Sequence, residues 1–288
     1  MSETAAASAE LAVLQPRRQR LPIPVGLSFF VVAVVLACAA FGSLIAPYDP
    51  SAQNLEVGLS GPSFAHLLGT DDLGRDVLSR TIAGARSAVV GPVLIALGAM
   101  LIGNVLGLLA GYRGGLADAG VMRWVDLMFA LPGLLVAIVV AGILGGGYYL
   151  AVVVLIILFS PVDARVVRGA TLEQRSLSYV EAARTLGLSS RRIMARHIWP
   201  NILPVVVANT FLTFAFAIVT LSALSYLGIG VGPGTPDWGR MLSEGRTLLY
   251  GNPAAALVPG AMIVLTASAM NLIGDWAYER LSDRGRAQ

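Results

Sequence analysis

Residues 179–204 read YVEAARTLGLSSRRIMARHIWPNILP, and the placing of this stretch decides the fold. It carries Glu181, Arg184, Arg191, Arg192, Arg196 and His197 between two long apolar runs, 150–167 and 203–227. Charges are costly in hydrocarbon, so the stretch reads as a surface element and its flanks as spans. Ser178 and Glu181 match a capping box, in which each side chain satisfies an orphan amide of the first helical turn. Ala182, Ala183, Arg184 and Thr185 continue a short helix, and Gly187 supplies the left-handed residue that ends one. Ser189 then suits the cap of a second helix over 191–198, with Pro200 as its stop. The expected element is a helix-turn-helix of small and basic residues. Ala182 and Ala183 together let another protein approach closely and offer little to lipid headgroups, so docking onto a partner is favoured.

Composition agrees with a membrane setting. The 288 residues are 56% hydrophobic and 13% charged, against roughly 25% charged in soluble domains. Every basic residue except the two histidines is Arg; without Lys there is no P-loop, whose phosphates need one. The chain is therefore not a self-contained ATPase of that kind. One cysteine, Cys38, excludes an internal disulfide, and His66 and His197 lack ligand-spaced companions, so no metal site is expected.

Six apolar segments are long enough to span as helices: 25–46, 88–111, 127–144, 150–167, 203–227 and 254–273. Strict alternation is absent, which excludes a barrel. With the N-terminus inside, fifteen of the twenty arginines fall on cytoplasmic segments, and Arg75, Arg80, Arg86, Arg240 and Arg246 stay outside. The expected fold is all-α, a polytopic membrane protein of six transmembrane helices with both termini cytoplasmic. The organisation expected is a cytoplasmic tail over 1–24, a first helix over 25–46, an extracytoplasmic loop over 47–84, a core over 85–275 and a C-terminal tail over 276–288. The charged connection lies at about 168–202 within the core. Arg17, Arg18 and Arg20 before the first apolar run imitate a signal peptide, but a run of 25–46 exceeds the usual h-region and reads as a retained helix.

Three constellations need weighing. Asp71, Asp72 and Asp76 in the first outer loop could be paired carboxylates for acid–base work or a cation. With no nucleophile near them in sequence, the reading preferred is a short helix capped by Thr70 or Asp71, with Arg75 and Arg80 as charge partners. Gly103, Gly107 and Gly111 share one helix face with Ala99, a spacing that lets helices pack closely. Asn104, Asn209, Thr210, Thr213, Thr220, Ser222 and Ser225 are polar within apolar spans, with Asn271 and Asp275 near the last span's inner end. No charge is expected at mid-membrane, so ion-coupled secondary transport and intramembrane hydrolysis have little support.

Here the sequence resembles a known family. Glu181-Ala182-Ala183, then Gly187, then Pro200 looks like the cytoplasmic EAA loop of ABC-importer permeases, and 196–201, RHIWPN, is similar to its dipeptide, oligopeptide and nickel version. Trp199 departs from that version, which usually has Leu there. Residues 68–80, LGTDDLGRDVLSR, resemble the signature before the second helix of the "C" permease, with Gly69, Thr70, Asp71, Gly74, Arg75 and Asp76 at its centre. Residues 123–126 with 131–132, then 224–228, 236–239 and 271–275, complete an ordered series over most of the chain. The resemblance implies a type I ABC-importer permease fold without catalytic residues. It implies a coupling loop of Tyr179, Glu181, Ala182, Ala183, Gly187, Ser189, Arg191, Arg192, Arg196 and His197. Expected partners are a homologous second permease, two cytoplasmic ATPases that hold ATP and Mg, and an extracytoplasmic binding protein. The expected cargo is a peptide, with nickel, glutathione or haem as alternatives, across a bacterial inner membrane.

Overall fold

The computed structural model describes residues 21–286; most of the expected N-terminal tail, including Arg17, Arg18 and Arg20, lies outside the described residues. The chain forms α1 (Ile23–Ile45), α2 (Val77–Arg113), α3 (Gly115–Phe129), α4 (Gly133–Ile143), α5 (Tyr148–Arg175), α6 (Ser178–Thr185) and α7 (Ser190–Ile193). A π-helical turn, Met194–Ile198, leads into α8 (Trp199–Tyr226), followed by α9 (Trp238–Gly245) and α10 (Ala254–Arg286). Among the described residues the only β feature is an isolated Thr70–Asp76 bridge.

Helices α1, α2, α5, the continuous run Ser190–Tyr226 and α10 are long and apolar enough to cross a bilayer. The remaining crossing is not the straight helix expected over 127–144. It is a pair, α3 and α4, bent by 82°. Pro132 sits at the N-cap of α4; it lacks an amide hydrogen and disfavours helical backbone at Leu131, so the helix breaks there. The pair still joins the two ends of the molecule, because α3 follows Arg113 while the Gly147 amide beyond α4 donates to Ile229 at the opposite end (3.0 Å).

Contacts define those ends. At one, the two long loops meet through Arg75 Nη2 to Glu244 Oε2 (3.0 Å) and Asn252 Nδ2 to the Leu68 carbonyl (2.9 Å). At the other, Arg184 lies over the Tyr112 ring and Arg175 Nη1 donates to the Gly111 carbonyl (3.3 Å). Phe29 of α1 meets Trp276 of α10 edge-on, 5.3 Å between centroids. Phe29 lies early in α1 and Trp276 late in α10, so the start of the first span and the end of the last lie near each other.

Two helices run beyond the expected spans. Helix α2 begins at Val77 rather than near residue 88, because Asp76 caps it by accepting from the Ser79 amide (2.8 Å). Helix α10 continues through Asp275 to Arg286, over residues expected as a tail. The 37 residues of α2 make a rod of roughly 55 Å, longer than a hydrocarbon core of about 30 Å.

The Gly103, Gly107 and Gly111 stripe packs on α5 of the same chain. A Cβ on Gly103 would collide with the Asp163 side chain; one on Gly107 would come within 2.7 Å of the Ala164 carbonyl, and one on Gly111 within 2.7 Å of Thr171 Cβ. Ala99 is fully buried and extends the contact. Close approach of two backbones is what these glycines provide.

Candidate functional site

The segment 178–198 is anchored on its back and bare on its front. Val180 and Ala183 of α6 are buried with Ile193, Met194 and Ile198 in a cluster that takes in Tyr112 of α2, Val167 of α5 and Ile202 of α8. The motif's two alanines therefore part company: Ala183 packs inward and Ala182 is exposed. The expected capping box is not formed. Leu177 is the N-cap and Ser178 the first helical residue, with no side-chain capping bond. Burial of Val180 and Ala183 fixes the helix phase, and the Ser176–Leu177 turn back from α5 sets where it starts.

Helix α6 ends in a Schellman motif. The Gly187 amide donates to Arg184 (2.9 Å) and the Leu188 amide to Ala183 (3.2 Å), with Gly187 at φ +76°. Open space surrounds the missing Gly187 Cβ, so this glycine is required by the backbone and not by a neighbour. Ser189 occupies the next N-cap but makes no side-chain capping bond.

Pro200 does not stop the second helix. The chain passes from α7 through the π turn straight into α8. The Trp199 amide reaches back to Met194, and the wider turn accommodates a proline ring that lacks a donor. Asn201 Nδ2 donates to the His197 carbonyl (2.6 Å). The Tyr179 hydroxyl lies 2.6 Å from Gln174 Oε1 and 3.2 Å from the His197 carbonyl, and accepts from Asn201 Nδ2 (3.2 Å). Burial pushes this phenol above its ordinary range, while the Asn201 hydrogen bond opposes that shift. Tyr179 thus braces the two arms of the element.

The front carries Glu181, Ala182, Leu186, Arg191, Arg192 and Arg196, all exposed. Neither Glu181 nor these three arginines pairs with a charge among the described residues. Leu186 is 80% exposed at the tip; the sequence marks it only by its position just before the helix-ending glycine.

At the opposite end the expected short helix over the aspartates is absent. Residues 70–76 make a tight loop closed by the Thr70–Asp76 bridge. Asp71 Oδ1 accepts from the Leu73 and Arg75 amides, both 3.0 Å, and Asp71 Oδ2 receives Arg75 Nε at 2.6 Å. Glu244 Oε2 receives Arg75 (3.0 Å) and Arg80 (3.2 Å), while its Oε1 receives Arg240 (2.9 Å). Asp76 accepts from Ser79 and faces His66 Nδ1 at 2.9 Å. Gly69 and Gly74 take positive φ, and a Cβ on either would strike the backbone of Ser60 or Asn54. The signature is a structural knot in which the Asp71, Asp76 and Glu244 carboxylates are occupied, while Asp72 is exposed and meets no donor among the described residues.

One charge inside the spans corrects the expectation of none. Asp163 of α5 is 2% exposed, roughly 22 Å along α5 from Tyr148 at 1.5 Å per residue. Asn209 Nδ2 and the Thr213 hydroxyl of α8 both donate to its Oδ1, the latter at 3.2 Å. The three residues tie α5 to α8, the helices on either side of the 178–198 segment.

Comparison with known proteins agrees with this geometry. Residues 103–286 match the family model described as binding-protein-dependent transport system inner membrane component. The glutathione transport system permease protein GsiD of Pectobacterium atrosepticum is 39% identical, over 93% of this chain and 88% of its own. The di/tripeptide transport system permease protein DppC of Pseudomonas aeruginosa is 37% identical, over 90% and 87%. In fold, the chain is similar to a solved structure of the MetNI methionine ABC transporter in an inward-facing conformation (TM-score 0.58, 20% identity, 70% of this chain and 96% of that one). A multispanning helical body, an anchored and outward-facing turn between two spans, and these relatives lead to one conclusion: the chain belongs to the family of binding-protein-dependent transport system inner membrane components.

Proposed function

We propose that this chain is the permease subunit of an ATP-driven peptide importer in a bacterial inner membrane, with both termini cytoplasmic. It pairs with a homologous permease to form the path. Two cytoplasmic ATPases, which hold ATP and Mg, grip the 178–198 element, and an extracytoplasmic binding protein delivers the solute. The observation that carries this reading is the two-sided character of that element. Its back is locked into α2, α5 and α8, while its front offers Leu186 and unpaired charges.

The geometry provides the transmission. Force on Ala182 and Leu186 passes through Val180 and Ala183 into the inner ends of α5 and α8, which Asp163, Asn209 and Thr213 hold together higher up. Both helices then move as a pair, and access alternates between the two faces of the membrane. Peptide cargo is supported by relatives named for di/tripeptide and glutathione transport.

The test is co-expression with the candidate partner permease, ATPases and binding protein, followed by ATP-driven uptake of labelled dipeptide into proteoliposomes. Full activity of this chain purified alone, with no ATPase, would refute the proposal.

A further inference from the structure

Four of the five outer arginines are satisfied within the chain. Arg75 and Arg80 are buried against Asp71 and Glu244, Arg240 pairs with Glu244, and Arg246 lies 5.9 Å over the Tyr226 ring. Arg86 differs. It is exposed, about 14 Å along α2 from Val77 at 1.5 Å per residue. No carboxylate, carbonyl or ring among the described residues meets its guanidinium. An unpaired guanidinium on a membrane-crossing helix is costly unless it faces water or a counter-charge.

Arg86 faces a cavity of about 640 Å³ at the outer end, bounded by α1, α2 and the loops that carry Gly147 and Gly230. Among the described residues it is the single charged one lining that cavity. The nearby Asp237 carboxylate does not line the cavity and accepts from the Ser87 hydroxyl (2.8 Å) and the Arg240 amide (3.0 Å). Tyr149 of the lining is 73% exposed and presents a ring and a hydroxyl. The volume falls in the range that holds small ligands, and a lone cation in a low-dielectric cleft attracts anions.

We propose that Arg86 is the recognition point of an outer vestibule for the carboxylate of the arriving solute. The planar guanidinium fork matches a carboxylate with two parallel hydrogen bonds, and a peptide carries one at its C-terminus. The identification of the solute as a peptide rests on the function proposed above; the anion preference rests on the cavity alone.

Cys38, the chain's one cysteine, lines the same cavity and serves as a reporter. In the complete transporter in nanodiscs, Cys38 is treated with anionic and cationic methanethiosulfonates of equal size, and the Cys38→Ser variant, treated alongside, reports any labelling elsewhere in the assembly. The anionic reagent should react faster, by about fivefold to tenfold for a unit charge at this range. Arg86→Gln should bring the ratio near one, and Arg86→Lys should keep most of it. Dialanine should slow the reaction of a neutral reagent in the wild type, dialanine amide should not, and Arg86→Gln should abolish the difference. A reagent ratio already near one in the wild type, as when a partner's carboxylate fills the site, overturns the proposal. So does a ratio unchanged by Arg86→Gln, or protection that ignores the free carboxylate. Uptake of labelled dialanine by the wild-type assembly checks the cargo separately: without uptake the peptide reading falls, and the reagent ratio still decides the role of Arg86.

Discussion

The two ends of this molecule are both rich in arginine and use it in opposite ways. At the outer end Arg75 and Arg80 are almost fully buried, each within 3.2 Å of Glu244. At the coupling end Arg191, Arg192 and Arg196 are exposed and pair with no charge among the described residues. The first set closes a structure within one chain, and the second, on the proposed function, leaves valences for another chain. Counting charges locates both regions; only their pairing separates a knot from a docking face.

The sharpest way to break this comparison is to remove one member of the buried set. Arg80→Ala leaves Glu244 and Asp71 under-compensated in a buried site and should cost about 3–5 kcal/mol, read as a lower midpoint in thermal unfolding of the detergent-solubilised chain. A midpoint within error of wild type would show the knot to be dispensable. Asp163→Ala tests a third use of charge, a buried carboxylate bonded by neutral groups. Leaving the Asn209 amide and Thr213 hydroxyl without their acceptor should cost about 1–3 kcal/mol. ATP hydrolysis should persist in the assembled transporter while uptake per ATP falls; unchanged stoichiometry would count against the α5–α8 tie.

Gly187→Val forces a β-branched residue into left-handed backbone, at about 1–2 kcal/mol. Insertion should be intact and uptake uncoupled from hydrolysis; wild-type transport in proteoliposomes would contradict the role given to the turn. The smallest effect on folding is expected at the exposed face. Glu181→Arg should change stability by no more than about 0.5 kcal/mol yet weaken capture of the ATPases, and undiminished pull-down would remove Glu181 from the docking surface.

What the sequence made legible was what depends on local chemistry. The apolar windows mark the spans because lipid offers the backbone no partners, and Gly187 marks the end of α6 because few other residues tolerate its φ of +76°. What it hid depends on residues distant in sequence. Asp163 sits inside a window that its neighbours make apolar, and its partners Asn209 and Thr213 lie 46 and 50 positions away. The phase of α6 is set by where Val180 and Ala183 find a buried cluster, which overrode the capping signal of Ser178. Pro132 lies inside the expected span 127–144 and Pro200 is the expected stop, and the structure reverses both: at Pro132 the helix breaks, and at Pro200 a π turn carries it onward. The outer aspartates read as structural from their neighbours, but their geometry, a knot closed by Glu244 about 170 residues downstream, is beyond any local rule.

The unbroken run Ser190–Tyr226 has a consequence of scale. Its 37 residues form a rod of roughly 55 Å, so a tilt of about 5° at the inner tip sweeps the outer tip through roughly 5 Å. That outer tip leads directly into Gly228 and Gly230, beside the mouth in which Arg86 waits. In the importer proposed above the rod is a tiller: a small stroke below steers the width of the opening above, with no segment needing to unfold between them.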